Sequence, residues 1–305
     1  MEIQLRELRQ LASKAENRRT ETGIPRVAMV QGEVPEHRLA AVYEPMVNLI
    51  LTGSKTMTVG DRTLRYDPAT YFVMSVDLPA VGSVHRSDDG DPYLAISLTL
   101  EPAIVANLLA DLPKPAGGHL YSPGFSVAPV TPELLDAWVR MLRLMERSNE
   151  VAALAPAYER EILFRVLQGP LGWMLRDIAT PETALSRIGI AIQWTRENFA
   201  KPLRVETLAE MTALSVSAFH RHFKAVTALS PLRYQKHLRL LHARSLLIAG
   251  EGSATSIAFE VGYESPNQFS REYARQFGLP PSKDAARLRQ KAPHNAERFL
   301  SVTTG

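Results

Sequence analysis

LAEMTALSVSAFHRHFKAVTALSPLRYQKHLRLLHARSLL (residues 208–247) and IAFEVGYESPNQFSREYARQFGLPP (257–281) are two versions of one pattern. The first carries Leu208-Ala209, then Ser215, then Phe219-His220-Arg221-His222-Phe223. The second carries Ile257-Ala258, then Ser265, then Phe269-Ser270-Arg271-Glu272-Tyr273. The offset is 49 residues at the leading pair and 50 from the serine onward, so the second copy has one extra residue in its turn. A pattern used twice marks one supersecondary unit used twice. Its spacing is that of a helix–turn–helix, the device that lays a short helix in a DNA major groove.

Each copy carries the same division of labour. Ala209 and Ala258 are small where two helices cross, and Ser215 and Ser265 can cap the helix that follows. Phe219 and Phe223, like Phe269 and Tyr273, stand four apart and face inward. The opposite face of the first helix then presents Ser217, His220, Arg221 and Lys224. The second presents Asn267, Gln268, Ser270, Arg271 and Arg275. Arginine can donate twice to guanine, and Asn or Gln can pair twice with adenine, so Arg221, His220, Asn267, Gln268 and Arg271 suit base edges. Ser270, His222, Lys224 and Arg275 are better placed for phosphate or for no particular contact. The competing bland reading is a solvated helix face that touches phosphate only. Between the copies, a helix from Pro231 to about Ile248 is expected, closed by Gly250. At 1.5 Å per residue its 18 residues span roughly 27 Å. Two readers at its ends would enter grooves about one turn, on the order of 34 Å, apart.

These segments resemble the AraC/XylS family of bacterial transcription regulators over about residues 188–288. The resemblance implies that Ser217, His220 and Arg221 face one groove, and Asn267, Gln268 and Arg271 the next. Ala213 and Ala228 stand where the family often has glycine, so a local change of backbone is expected there. Lys283-Asp284-Ala285-Ala286-Arg287 replaces the family's aromatic–arginine ending, which leaves the contacts of the last helix open.

Charge agrees with a polyanion partner for the back of the chain. Residues 185–290 hold 15 Lys+Arg against 8 Asp+Glu, a net of +7, while residues 1–184 hold 18 against 23, a net of −5. There are no cysteines, which excludes disulfides, thiolate chemistry and cysteine-ligated zinc. No run of about 18 apolar residues appears, so no membrane span is expected. The opening MEIQLRELRQLASKAENRR is charged and reads as an amphipathic helix with Ile3, Leu5, Leu8 and Leu11 partly on one side. A cytoplasmic, nucleoid-associated protein is the expectation.

Residues 25–101 are rich in strand signals: Arg26–Gln31, Met46–Leu51, Lys55–Val59, Tyr71–Val76, Gly82–His85 and Tyr93–Leu100, with turn residues between them. This spacing predicts a small antiparallel barrel or double-sheet sandwich. Val47–Thr70 is expected to form two hairpins, with Gly60-Asp61 as a tight turn. Thr131-Pro132-Glu133 opens a helix to about Arg147, and a second covers about Val151–Leu167. This pair either covers the barrel or packs on a second subunit. The organisation expected is α+β with two domains: 1–180 as a regulatory and dimerisation domain with a cupin-like barrel and flanking helices, and 185–290 as an all-α domain of two helix–turn–helix units joined by a long helix. A flexible tail is expected at 291–305. VYEPMVNLILTGSKTMTVGDRTLRYDPATYFVMSVDLPA (42–80) resembles the cupin-like sensory domain of the same family, and the resemblance implies an effector site in this half.

Cupin enzymes bind a metal through closely spaced histidines and a carboxylate. Residues 25–101 hold only His37 and His85, so a metal site built from them with Glu33 or Glu36 is disfavoured. No catalytic motif stands out, and no cofactor is expected. Tyr43, Met57, Phe72, Met74 and Tyr93 are candidate ligand liners. Against that stands ordinary filled core, because small barrels pack their interiors with side chains. The leading expectation is a sequence-specific DNA-binding regulator controlled by a small-molecule effector, with RNA polymerase as a further partner and a homodimer through the helices of 131–168. Two other readings use the same residues: a metal-dependent cupin enzyme fused to a DNA-binding half, and a constitutive DNA-binding dimer without effector.

Overall fold

A computed structural model describes every residue except 18, 33–38, 69, 114–122, 182 and 292–305. In it the strand signals become two antiparallel sheets. The described strands, in chain order, are β1 (Arg19–Glu21), β2 (Val27–Gly32), β3 (Leu39–Tyr43), β4 (Met46–Thr52), β5 (Ser54–Val59), β6 (Arg62–Tyr66), β7 (Thr70–Met74), β8 (Leu78–His85), β9 (Tyr93–Thr99) and β10 (Phe125–Pro129). One sheet has the order β1-β2-β9-β4-β7-β10 and the other β3-β8-β5-β6. The two sheets face each other without closing into a continuous barrel. β4 explains why its sequence, VNLIL, is apolar almost without a break. Val47, Leu49 and Leu51 pack outward under helices, while Ile50 packs inward with Met57, Tyr66 and Phe72 of the facing sheet and its own. A strand buried on both faces loses the polar–apolar alternation.

Of the two hairpins expected in Val47–Thr70, only β5–β6 forms, with Val59 opposite Arg62 across Gly60-Asp61. Gly60 takes φ +59°, as that turn requires. β4 and β5 instead belong to different sheets, and the chain changes sheet at Gly53 (φ +75°). A side chain there would lie 2.3 Å from the His85 carbonyl oxygen, so the corner needs glycine twice over.

The described helices are α1 (Glu2–Leu11), α2 (Pro102–Ala110), α3 (Pro132–Arg143), α4 (Val151–Gln168), α5 (Gly172–Ala179), α6 (Ala184–Glu197), α7 (Val205–Met211), α8 (Val216–Thr227), α9 (Pro231–Ala249), α10 (Ala254–Glu260), α11 (Pro266–Phe277) and α12 (Pro281–Lys291). Thr131 caps α3 by accepting from Leu134 N. Leu135, Trp138 and Leu142 of α3 and Ile162, Leu163 and Val166 of α4 join Leu8 of α1 over the outer face of the six-stranded sheet. These helices therefore cover the sheet, the first of the two roles the sequence left open. Leu5 and Leu8 of α1 are buried, but Ile3 is 80% exposed.

A second core fills the space between the sheets and runs on into the helical domain. It takes in Phe72, Met74 and Phe125 together with Ile188, Phe219, Phe223 and Tyr234. A third core is made from α9 to α12 and includes Leu240, Ala243, Ile257, Phe269 and Ala285. Between α5 and α6, Thr183 caps α6 through Ser186 N and donates back to the Asp177 carbonyl (2.7 Å).

Candidate DNA interface

The first helix–turn–helix is α7 and α8. Leu208 and Ala209 are buried, and Leu214 N donates to the Ala209 carbonyl across the turn. Ser215 caps α8 by accepting from Ala218 N at 3.3 Å. Phe219 and Phe223 are fully buried, and Phe223 meets Tyr234 of α9 edge-on with centroids 5.5 Å apart. The second unit, α10 and α11, repeats this. Ser265 accepts from Gln268 N at 3.4 Å, and Tyr263, Phe269, Tyr273 and Phe277 form a ladder of rings. Gly262 supplies the turn at φ +89°, and a side chain there would strike the Ala200 carbonyl oxygen at 2.1 Å.

The alanines at the two glycine-like positions do not change the backbone. Ala213 has φ 52° and Ala228 φ 56°, so both sit in the left-handed region that glycine would occupy. The turn geometry overrides the residue's own preference, at a cost of about 1–2 kcal/mol for a side chain bearing a Cβ.

With the inner faces buried, the outer faces are set. Ser217, His220, Arg221 and Lys224 of α8 are exposed, as are Asn267, Gln268, Arg271 and Arg275 of α11. Ser270 and His222 are half-buried. Burial, together with the Arg221 and Arg187 charges, holds the His222 pKa below its ordinary value, so the ring is neutral near pH 7. Gln268 is not idle: its Nε2 donates to Glu272 Oε1 at 3.3 Å. Glu272 also accepts from Lys236 Nζ (2.8 Å) and the Tyr263 hydroxyl (2.9 Å). Burial opposes its ionisation, but these three donors outweigh it and lower its pKa. α9, the spacer, has 19 residues and so spans about 28 Å.

Several of the cations counted in the helical domain serve the interior. Arg239 donates from Nε to the Phe199 carbonyl (2.7 Å), from Nη1 to Gly262 (2.7 Å), and from Nη2 to Ala200 and Lys201 (3.1 and 3.0 Å). It thereby satisfies the carbonyls just beyond α6 and ties them to the turn of the second unit. Gln235, one helical turn earlier, donates to Phe199 and Lys201. Asp284, the residue of the unusual ending, is fully buried. It pairs with Arg244 at 2.8 Å and Arg287 at 3.0 Å and accepts from the Tyr273 hydroxyl. The open question about α12 is thereby answered: a charge network docks it. The pattern of apolar residues carries no trace of Arg239 or Asp284. The available signal was the segment after α6, Phe199-Ala200-Lys201, whose carbonyls need donors beyond the helix end.

The first unit is bonded to the sheets. Gly124 N donates to the Val226 carbonyl at 2.9 Å, and the Tyr234 hydroxyl donates to the Asp77 carbonyl at 2.7 Å. Gly60 packs on Ala228 so closely that a side chain would meet the Ala228 carbonyl oxygen at 2.4 Å. Arg196 of α6 lies 2.6 Å from Asp77 Oδ1. Burial raises the Asp77 pKa despite that arginine, so this bridge fixes geometry more than it adds stability.

The candidate liners Tyr43, Met57, Phe72, Met74 and Tyr93 lie on the inward faces of the sheets. All are buried except Tyr43, which is half-buried. His85 meets Thr56 through Nε2 (3.0 Å) at the strand surface. Glu33, Glu36 and His37 lie outside the described residues, as do 292–305 of the tail. Among the described residues there is no group of three His, Asp or Glu side chains placed to hold a metal, and no helix is long and apolar enough to cross a membrane.

Comparison with known proteins agrees with both halves. Residues 23–174 match the family profile described as AraC-type transcriptional regulator N-terminus, and residues 208–287 match a helix-turn-helix domain profile. The transcriptional activator RhaS of Escherichia coli O1:K1 is 33% identical over 145 residues, 47% of this chain and 51% of RhaS. RhaS of Escherichia fergusonii is 32% identical over 177 residues, 58% of this chain and 62% of that protein. The chain thus spans about half the length of the first curated relatives it matches. In fold, it is similar to ToxT of Vibrio cholerae. The crystal structure of an apo ToxT variant with one substitution superposes with TM-score 0.56 at 11% identity, covering 88% of this chain and 99% of ToxT. Wild-type ToxT with a bound unsaturated fatty acid gives 0.51 at 11% identity, covering 85% and 93%. With the regulator N-terminus and the helix-turn-helix profile both matched, and in that order, the chain belongs to the AraC/XylS family, which is one of transcriptional regulators and not of enzymes.

Proposed function

We propose that this protein is a sequence-specific DNA-binding activator that reads two successive major grooves with α8 and α11, under the control of a small organic effector bound in the sheet-rich half. The observation that carries this reading is the pair of exposed faces on one helical spacer: Ser217, His220 and Arg221 on one reader, Asn267, Gln268 and Arg271 on the other. Arginine and amide side chains are the residue types that discriminate base edges. The two readers differ, so a single chain meets an asymmetric site. Arg221 and Arg271 are the principal base readers. Lys224, Ser270 and Arg275 hold phosphates, and Gln268 gives up its bond to Glu272 on meeting a base. Residues 1–180 act as the regulatory unit and 185–290 as the DNA-binding unit, in the cytoplasm on the nucleoid.

Activation follows the naming of RhaS as a transcriptional activator, and RNA polymerase is the partner we propose with it. An organic effector follows from ToxT, which has been crystallised with a fatty acid and shares this fold. Control from the sheets is supported by the core that runs from Phe72 and Phe125 to Phe219 and Tyr234 without a break. A ligand shifts such an equilibrium only by binding one arrangement better than another. Self-association through 131–168 completes the proposal. Among the described residues, no exposed large apolar side chain falls in that stretch, so its contacts would be polar.

Selection of the full chain against random duplexes tests the reading. A bipartite consensus is expected, with affinity that falls steeply as salt rises because phosphate contacts release counterions. Equal affinity for all duplexes would overturn it.

A further inference from the structure

The space between the two sheets is lined mostly by apolar side chains, and a lysine faces it from β5. On β5, Lys55, Met57 and Val59 alternate onto the same face, and Met57 and Val59 belong to the inter-sheet core. Lys55 therefore points inward from a strand whose outward positions are Thr56 and Thr58. It stands directly opposite Tyr66 of β6 and Val84 of β8. Its Nζ lies 4.8 Å from the centroid of the Tyr43 ring. Gly82 makes room for both: a side chain there would lie 2.6 Å from the Tyr43 hydroxyl and 3.0 Å from Lys55 Cε. Tyr66 and Tyr93, each 1% exposed, close the group, and their hydroxyl oxygens have no hydrogen-bond partner.

Among the described residues Lys55 has no ion pair, and its ammonium lies over the aromatic face of Tyr43. Buried cations are normally paired, and buried hydroxyls are normally bonded. Lys55 as a whole is half-buried, yet its ammonium is desolvated enough to pull its pKa down to about 8, so it is still mostly charged at pH 7. Burial raises the pKa values of Tyr43, Tyr66 and Tyr93, which keeps all three protonated. One cation and unsatisfied O–H donors form a receptor for an oxyanion. A single positive charge matches a monoanion; a dianion would leave a buried charge uncompensated. The surrounding walls, Ile50, Met57, Phe72, Met74 and Ala95, are apolar.

We propose that this cluster binds the carboxylate of a small apolar monocarboxylic acid between the sheets, with Lys55 as its counter-ion and the Tyr66 and Tyr93 hydroxyls as its hydrogen-bond donors. The inference rests on the reading of the sheet-rich half as an effector sensor and names the chemical class sensed. Tyr66 stacks on Phe72 at 5.0 Å, and Phe72 belongs to the core that reaches Phe219 and Tyr234. A carboxylate drawing on Tyr66 would thus act on the wall that supports the first reader.

The test uses the full chain with sodium benzoate, cinnamate and octanoate, their neutral amides, and inorganic phosphate, read by thermal shift and calorimetry. At least one acid is expected to stabilise the protein while its amide and phosphate do not. Lys55→Met abolishes that response, and Tyr66→Phe weakens affinity about tenfold, the usual effect of losing a hydrogen bond to a charged group. Independently of the acids chosen, Lys55→Met raises the melting temperature of the ligand-free protein, because it removes an unpaired cation from an apolar space. If Lys55→Met does not fold, Tyr66→Phe and Tyr93→Phe carry the test. An amide that binds as well as its acid, an acid response untouched by Lys55→Met or by both tyrosine variants, or a Lys55→Met protein no more stable than the parent would each overturn the assignment. Selection of a bipartite duplex by the same preparation would leave the regulator reading standing even then; its loss would strike that reading itself.

Discussion

The two helix–turn–helix units are built alike and housed differently. In both, a serine caps the reading helix, an alanine lets the helices cross, and two aromatics four residues apart fill the core. Yet Phe219 and Phe223 share their core with the sheets, whereas Phe269 and Tyr273 share theirs with α9 to α12. In the first unit, Val226 of α8 accepts from Gly124 and Ala228 packs on Gly60, while Tyr234 at the start of the spacer donates to the Asp77 carbonyl. The second hangs from α9, held by Arg239 and by the Asp284 network. Duplication of a motif therefore did not duplicate its surroundings. The sheet-rich half packs directly on α8, and α11 is joined to it through the spacer helix.

Breaking each anchorage separately should separate the units. The largest effect is expected from Asp284→Ala, which strands Arg244 and the Tyr273 hydroxyl in a buried site at a cost of about 3–5 kcal/mol. Hydrogen exchange should show α10–α12 losing protection while α8 keeps it; equal loss in both units would deny that they are distinct. A smaller effect is expected from Gly124→Ala. The added methyl would lie 2.8 Å from the Val226 carbonyl oxygen and 2.9 Å from Val76 Cγ2, and overpacking of this kind costs about 1–3 kcal/mol. Here exchange should rise at the end of α8 and leave α11 unchanged. The smallest is Ala213→Gly. Ala213 is exposed at φ 52°, so relief of its strain, partly offset by the greater freedom of glycine in the unfolded chain, should add up to about 1 kcal/mol. For a chain of this size that is a rise of about 2–4 °C in Tm. A fall would mean that the alanine methyl has a packing role.

The repeat, the caps and the aromatic pairs were legible in the sequence because short-range spacing encodes them. The spacer was readable to within a residue, since Pro231 opens that helix and Gly250 at φ +78° ends it. The sheets were legible as strands but not as partners. The step from β4 to β5 looks like a hairpin in sequence and is a sheet corner in space, because pairing over long separations leaves no local mark. The short strand β3 and β10, far along the chain from the others, were missed for the same reason. Arg239 and Asp284 count in the sequence simply as charges and are internal in the fold, since nothing in one sequence reports which carbonyls and rings surround a side chain. Lys55 and Tyr66 went unread among the liners because a lysine in an alternating strand looks like an outward residue. Only the register with Tyr66 and Val84 turns it inward.

The central claim is that one chain carries two different readers on a single spacer. Selection from random duplexes with the parent, Arg221→Ala and Arg271→Ala proteins tests it most directly. The account predicts an asymmetric two-part consensus in the parent. Each substitution should relax preference in its own half alone, costing about 1–3 kcal/mol there and leaving the other half intact. A palindromic consensus, or two substitutions that relax the same positions, would contradict it.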